Sequence, residues 1–203
     1  MPILRSWPIA RHRRVMTDQL QTSRLILRFW QDRDRAPYAA LMADPAVLEH
    51  LGASGETPDE WIDRQSARLA EHGLGYRAVE LRATGQLVGA VGLARVRFEA
   101  HFTPAVGIGW RLARPHWGHG YASEGAEALL WFGFDALRLE QIVAVTVPTN
   151  IRSQQVMRRL GMTYSPEDDF DHPRLPAHDP LRRHVLFRLS RQDWLARRSP
   201  PTG

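Results

Sequence analysis

The feature that most constrains this chain is a change of period. Val106, Ile108, Trp110 and Leu112 alternate with Gly107, Gly109 and Arg111, the two-residue rhythm of a strand. From Tyr121 onward, Ala122, Ala126, Leu129, Leu130, Gly133 and Leu137 recur at helical spacing instead. The switch runs through Trp117-Gly118-His119-Gly120-Tyr121-Ala122-Ser123-Glu124. A chain that enters a helix through two glycines leaves the unpaired N–H groups of the first turn beside residues with almost no side chain. Together with the positive end of the helix dipole, such a bend is an anion site suited to a pyrophosphate, and it needs neither a metal nor a Lys. The same residues would also suit a tight turn whose small side chains serve packing alone.

Two other phosphate-binding motifs fail on spacing. A Walker loop requires a Lys, and all 27 basic residues outside the histidines are Arg. A dinucleotide fingerprint follows the first strand of a βαβ unit. Here the glycines follow a meander of three strands predicted at 76–81, 87–96 and 105–112, the first two joined by a turn at Ala83-Thr84-Gly85.

The remaining elements are read in the same way. A first strand is predicted over 24–30 and a short helix over 37–43. Thr57-Pro58-Asp59-Glu60 has the form of a capping box, opening a helix that buries Trp61, Ile62, Gln65 and Leu69 and stops at Gly73. After the long helix at 121–137, the apolar run at 142–147 reads as a strand covered on both faces. A helix over 150–160 ends at Gly161, and strands at 162–165 and 183–189 flank a polar loop. The predicted order is strand, two helices, three strands, helix, strand, helix, two strands, an α/β (α+β) domain.

At 203 residues, with 43% hydrophobic and 24% charged residues, the chain suits one soluble domain. No apolar stretch approaches the roughly 20 residues of a spanning helix. With no cysteine, a disulfide framework, a thiolate metal site and a cysteine nucleophile are all excluded. The net charge of +5 is concentrated at the ends. Setting aside Arg5, Arg11, Arg13 and Arg14 leaves the basic residues almost matched by the 22 acids, and Arg197 and Arg198 lie in the tail. The expected organisation is a flexible basic extension at 1–16, one domain at 17–195 and a disordered tail at 196–203. The expected setting is cytoplasmic, with no nucleic acid or membrane as partner.

These motifs together resemble the GNAT superfamily of acetyltransferases, specifically its RimJ/RimL-like branch. The resemblance starts at Thr22-Ser23-Arg24-Leu25-Ile26-Leu27-Arg28 and continues through Thr84-Gly85-Gln86-Leu87-Val88-Gly89 and Gly107-Ile108-Gly109-Trp110-Arg111-Leu112. The segment 117–124 is similar to the branch's coenzyme A loop, and Asn150-Ile151-Arg152-Ser153 with 156–162 is similar to the stretch after its fifth strand. The resemblance implies a GNAT fold: a mixed, mostly antiparallel twisted sheet of about seven strands with about four helices, splayed between the strands ending near Leu112 and Val147. It implies acetyl-CoA as co-substrate, with no metal. Pantetheine would pair with backbone groups at Trp110, Arg111 and Leu112. The pyrophosphate would lie on the amides of Gly118, His119, Gly120, Tyr121, Ala122 and Ser123, with Trp117 at the head of the loop in place of a common Gln or Arg. Asn150 would hydrogen-bond the pantetheine arm, and His119 would add charge near the phosphates or remain a solvated loop residue.

The implied reaction transfers acetyl to a primary amine, either a protein N-terminal amine or a small molecule, by direct attack in a ternary complex. A backbone N–H near Trp110 or Arg111 would stabilise the oxyanion. Ser153 is the candidate for protonating the leaving thiolate, or else it caps the helix that begins near Asn150. The family often carries an acid where this chain has Gly107, which leaves Glu99 and His101 as candidate bases, or as exposed loop residues beside a water relay. The acidic run Pro166-Glu167-Asp168-Asp169-Phe170-Asp171-His172 could recognise a cationic acceptor or be solvated surface. His116 and His119 have a zinc-like i, i+3 spacing and His172, His178 and His184 form a loose set, but with no Cys and no clear helical pairing neither is expected to hold a metal. A coenzyme A-binding module without catalysis and a nucleic-acid-binding protein using the Arg-rich termini are the competing readings. The enzyme is expected to be a monomer or homodimer.

Overall fold

The computed structural model describes residues 18–51 and 55–197. The extension expected at 1–16 lies outside them, as does the tail beyond Arg197. The strands are β1 Gln19–Gln21, β2 Leu25–Arg28, β3 Gly75–Leu81, β4 Leu87–Arg95, β5 Val106–Leu112, β6 Gln141–Thr146, β7 Thr163–Tyr164, β8 Phe170–Asp171 and β9 Arg183–Ser190. The helices are α1 Arg35–Met42, α2 Pro45–Leu48, α3 Pro58–His72, α4 Tyr121–Trp131, α5 Ile151–Arg159 and α6 Arg191–Ala196. They form a single sheet in the order β1-β2-β3-β4-β5-β6-β9-β7, with β8 also on β9.

Every neighbouring pair is antiparallel except β5 and β6, which run parallel and share one registered pair, Gly107 with Val143. Beyond that pair the two strands diverge toward Leu112 and Thr146, the split expected of a mixed, mostly antiparallel sheet. The counts differ from expectation, with nine strands against about seven and six helices against about four. The added pieces are short: β8 has two residues, β1 three and α2 four. Runs of that length carry no readable period. The helix expected to continue to residue 137 changes character at Phe132, where Phe132–Ala136 forms a wider π-helical turn.

Local chemistry accounts for the ends of α3. The Thr57 hydroxyl accepts from the Glu60 N–H at 3.2 Å and the Glu60 carboxylate accepts from the Thr57 N–H at 2.8 Å. Gly73 closes the helix in the left-handed region at φ 69°.

Strand alternation assigns the two faces of the sheet. Ile108, Leu112, Ile142, Ala144, Phe187 and Leu189 pack with α4 in the main core. On the opposite face, α1 and α3 bring Tyr38, Leu41, Trp61 and Ile62 against the first half of the sheet. Phe102, Val143, Phe170 and Leu186 cover the other half. Between these clusters β5 presents Gly107 and Gly109, so the floor there is bare backbone. Tyr76 uses that room, since a Cβ on Gly109 would lie 2.1 Å from its hydroxyl.

Gly109→Ala is therefore expected to destabilise the fold by roughly 1–3 kcal/mol, the usual cost of overpacking. Tyr76→Phe in the same background should recover part of the loss. Urea unfolding of the single and double variants measures both; equal stability of Gly109→Ala and wild type would contradict the packing described.

Candidate active site

The bend between β5 and α4 carries the strongest chemistry. Gly118 and Gly120 both stand at φ +80°, a region that disfavours any residue with a Cβ. Gly120 caps α4 without a side chain. No N–H from Gly118 to Ser123 donates to an acceptor among the described residues. The Ser123 hydroxyl is buried and likewise has no partner. These donors border a cavity of about 550 Å³ whose wall includes Gly118, Gly120, Tyr121, Ala122 and Ser123. Unpaired amides at a helix N-terminus, a buried hydroxyl without an acceptor and no carboxylate in the bend suit an anion with several oxygens.

The bend is held from outside by Glu124. Its carboxylate accepts from Thr22 Oγ1 at 2.5 Å, Ser23 Oγ at 3.1 Å, the Arg24 N–H at 2.9 Å and Arg24 Nε at 2.6 Å. Arg24 also donates to the His119 carbonyl at 3.0 Å and lies over the Tyr121 ring. Burial works to raise the Glu124 carboxyl, but the hydrogen bonds from Thr22, Arg24 and Ser23 outweigh it and hold the group below the ordinary glutamate range. The loop before β2 thus fixes the outer side of the bend and leaves its amides facing the cavity.

Strand parity shows which backbone groups meet the gap. The β4–β5 ladder runs from Val96 N–H donating to Ala105 O through to Ala113 N–H donating to Val88 O, in unbroken register. Odd-numbered residues of β5 therefore direct their backbone groups to β4, and Trp110 and Leu112 direct theirs to the gap before β6. The Leu112 carbonyl is already taken by the Trp117 indole N–H at 2.7 Å. That contact gives Trp117 a role its loop position did not suggest: it ties the end of β5 to the bend, with the Arg152 guanidinium over its ring at 4.9 Å.

Across the gap, Asn150 caps α5 by accepting from the Ser153 N–H at 3.1 Å. The cap is thus Asn150, and the Ser153 hydroxyl makes no hydrogen bond among the described residues while lining the cavity. Trp110, Arg111, Leu112, Trp117 and Asn150 line it as well. His119 does not; its ring stacks on Tyr121, and His116 takes the place on the wall. The His116 imidazole is pushed below the ordinary range by burial and then by the neighbouring His119.

The other candidates lie elsewhere. Glu99 and His101 are exposed on the β4–β5 loop and do not border the cavity, and His101 Nε2 lies 3.2 Å from Asp168 Oδ1. The acidic run is largely neutralised by arginines: Asp168 pairs with Arg188 at 2.7 Å and Asp171 with Arg183 at 3.3 Å. Among the described residues no three His, Asp or Glu side chains form a potential metal site. Sequence reading missed the wall contributed by α2 and the residues just after it, where Val47, Glu49, His50 and Leu51 border the cavity and the buried His50 Nδ1 has no hydrogen-bond partner among the described residues. No motif marks these residues, and more than sixty positions separate them from the bend.

Comparison with known proteins agrees with this geometry. The acetyltransferase (GNAT) domain family matches residues 24–163. An uncharacterized protein, YkkB, of Bacillus subtilis (strain 168) is 31% identical over 150 residues, covering 72% of this chain and 86% of the relative. The crystal structure of an acetyltransferase from Agrobacterium tumefaciens str. C58 superposes with a TM-score of 0.67 at 29% identity, covering 84% of this chain and 93% of the other. Mycobacterium smegmatis RimJ, solved in complex with CoA-disulfide, shares the fold with a TM-score of 0.66 at 23% identity over 85% of this chain and 88% of its own.

Glu124→Gln is expected to cost roughly 1–2 kcal/mol at neutral pH, since it removes a half-buried charged acceptor of several hydrogen bonds. The folded carboxyl titrates below its unfolded value of 4.5. Its contribution is therefore complete above that value and is lost as the pH falls through the folded group's own range. Denaturation of both proteins from pH 7 downward should show the gap closing in acid; a gap that widens there would contradict the assignment.

Proposed function

Because the chain belongs to the GNAT acetyltransferase family, and is an acyltransferase, we propose that it passes the acetyl group of acetyl-CoA to a primary amine by direct attack in a ternary complex. The observation that carries this reading is the run of unpaired N–H groups from Gly118 to Ser123 at the edge of a cavity of about 550 Å³. Those amides and the Ser123 hydroxyl would hold the pyrophosphate. The backbone groups of Trp110 and the Leu112 N–H would pair with pantetheine as a peptide pairs with a strand edge. The Asn150 amide nitrogen, left over from capping α5, would donate to the same arm.

Placement supplies much of the rate. The amine nitrogen attacks the thioester carbonyl carbon, a C–N bond forms as the C–S bond breaks, and coenzyme A leaves as a thiolate. A β5 backbone N–H facing the gap, Trp110 foremost, would stabilise the oxyanion. Ser153 is assigned to give the thiolate its proton, regaining one from the water that takes up the ammonium proton. The ammonium proton departs through water, because Glu99 and His101 stand outside the cavity wall. The acceptor is a small amine or a protein N-terminal amine.

Acetyl-CoA should raise the melting temperature of the wild type, and Gly120→Glu should abolish the rise by placing a carboxylate on the phosphate site. Thiol release with a panel of amines and N-terminal peptides then reads catalysis. Ser153→Ala should lower kcat by about 10²-fold, in the range of a lost general acid, with the KM for acetyl-CoA unchanged. Glu99→Ala and His101→Ala should change kcat less than about threefold. A protein that binds acetyl-CoA but releases thiol with no amine would favour a coenzyme A-binding module instead.

A further inference from the structure

The wall of the cavity is uneven in charge. Arg111, Arg152 and Arg159 border it from β5 and α5, yet among the described residues it has one carboxylate, Glu49. Glu49 follows α2 directly, its N–H donating to the Pro45 carbonyl at 2.9 Å. The helix is fixed beside the end of β5, because Val47 packs in one cluster with Tyr38 and Trp61, and the Asp44 carboxylate lies 3.7 Å from Arg114 Nε. The other face of β5 is closed by Ile108 and Leu112 in the core beneath α4. An acceptor approaching a thioester laid along the edge of β5 therefore comes from the face that α2 occupies.

His50 stands next to the carboxylate. Its Nε2 lies 3.8 Å from Glu49 Oε2, and its buried Nδ1 has no hydrogen-bond partner among the described residues. A proton on Nδ1 would be an orphaned buried donor, which is rarer than an orphaned acceptor, so the ring proton belongs on Nε2. The 3.8 Å separation is too long for a hydrogen bond as it stands. The Glu49 side chain is 64% exposed and makes no other ion pair among the described residues, so a small rotation brings it to the Nε2–H.

We propose that Glu49 receives the acceptor amine and takes its proton, and that His50 is the positioning residue for the Glu49 carboxylate. The inference rests on the acetyltransferase reading of the cavity. The acceptor arrives as an ammonium ion, drawn to Glu49 and repelled by the three arginines, and sheds one proton to solvent. The free amine attacks the thioester carbon. As the C–N bond forms, the nitrogen becomes cationic and gives a second proton to Glu49, while the C–S bond breaks and the thiolate leaves. The exposed carboxyl then passes that proton to the water that restores Ser153.

The test uses the full chain and the best acceptor of the amine panel. Glu49→Gln should lower kcat/KM for the amine about 10²-fold, in the range of a lost general base, with the acetyl-CoA melting shift retained. The Gln amide can replace Nε2 as donor, so His50→Gln should hold kcat within about threefold, whereas His50→Leu should lose about tenfold. In the Glu49→Gln background His50→Leu should cost nothing more, since no base is left to position. Independently of turnover, butylamine titrated into CoA-saturated protein should bind Glu49→Gln about tenfold more weakly than wild type, the worth of one hydrogen bond to a charged group. An active Glu49→Gln enzyme, or butylamine that binds both proteins alike or neither, would overturn the role of Glu49. Additive losses in the double variant would overturn that of His50. Failure of acetyl-CoA to bind would instead remove the transferase reading, and the butylamine comparison would still decide whether Glu49 holds an amine.

Discussion

The site depends on hydrogen-bond donors that the fold itself leaves unpaired. A helix entered through Gly118 and Gly120 cannot satisfy its first N–H groups internally. No side chain caps them, and the nearest carboxylate, Glu124, is turned outward to Thr22, Ser23 and Arg24. The arrangement keeps negative charge off the inner side of the bend while an acid still stands in the first turn of α4. A ligand that supplies several anionic oxygens completes the helix end.

The second constraint is the split in the sheet. An unbroken parallel ladder between β5 and β6 would consume the backbone groups of Trp110 and Leu112 and close the cavity. Restricting the pairing to Gly107 and Val143 keeps both strands in one sheet while opening a wedge from the bend to the glycine floor. Trp117 and Asn150 stiffen the two lips of that wedge, one tying the bend to β5 and the other capping α5. The tyrosine and tryptophan rings of α1 and α3 then cover the face opposite α4.

What the sequence made legible follows from the range of the forces involved. The capping box at Thr57, the stop at Gly73, the meander and the glycine bend are local, so a few adjacent residues specify each. The long helix also announced itself by its period, although the Phe132 to Ala136 turn did not, because a π turn keeps the same apolar residues in a slightly wider coil. β8 exists only through its pairing with β9, and two residues cannot advertise a partner. The α2 wall, with His50 and its unpaired nitrogen, reaches the cavity through tertiary packing alone. The acidic run at 166–172 stayed open between two readings for a related reason: the arginines that neutralise it, Arg183 and Arg188, stand on β9 and are invisible to a local count of charge.

The central claim is that main-chain N–H groups at the bend grip the diphosphate of the acetyl carrier. Amide chemical shifts of isotope-labelled protein, followed while coenzyme A is added, test it at each residue. The account predicts that the amides of Gly118 to Ser123 move furthest, downfield, as they acquire charged acceptors. Amides there that stay in place while coenzyme A perturbs another part of the molecule would contradict it.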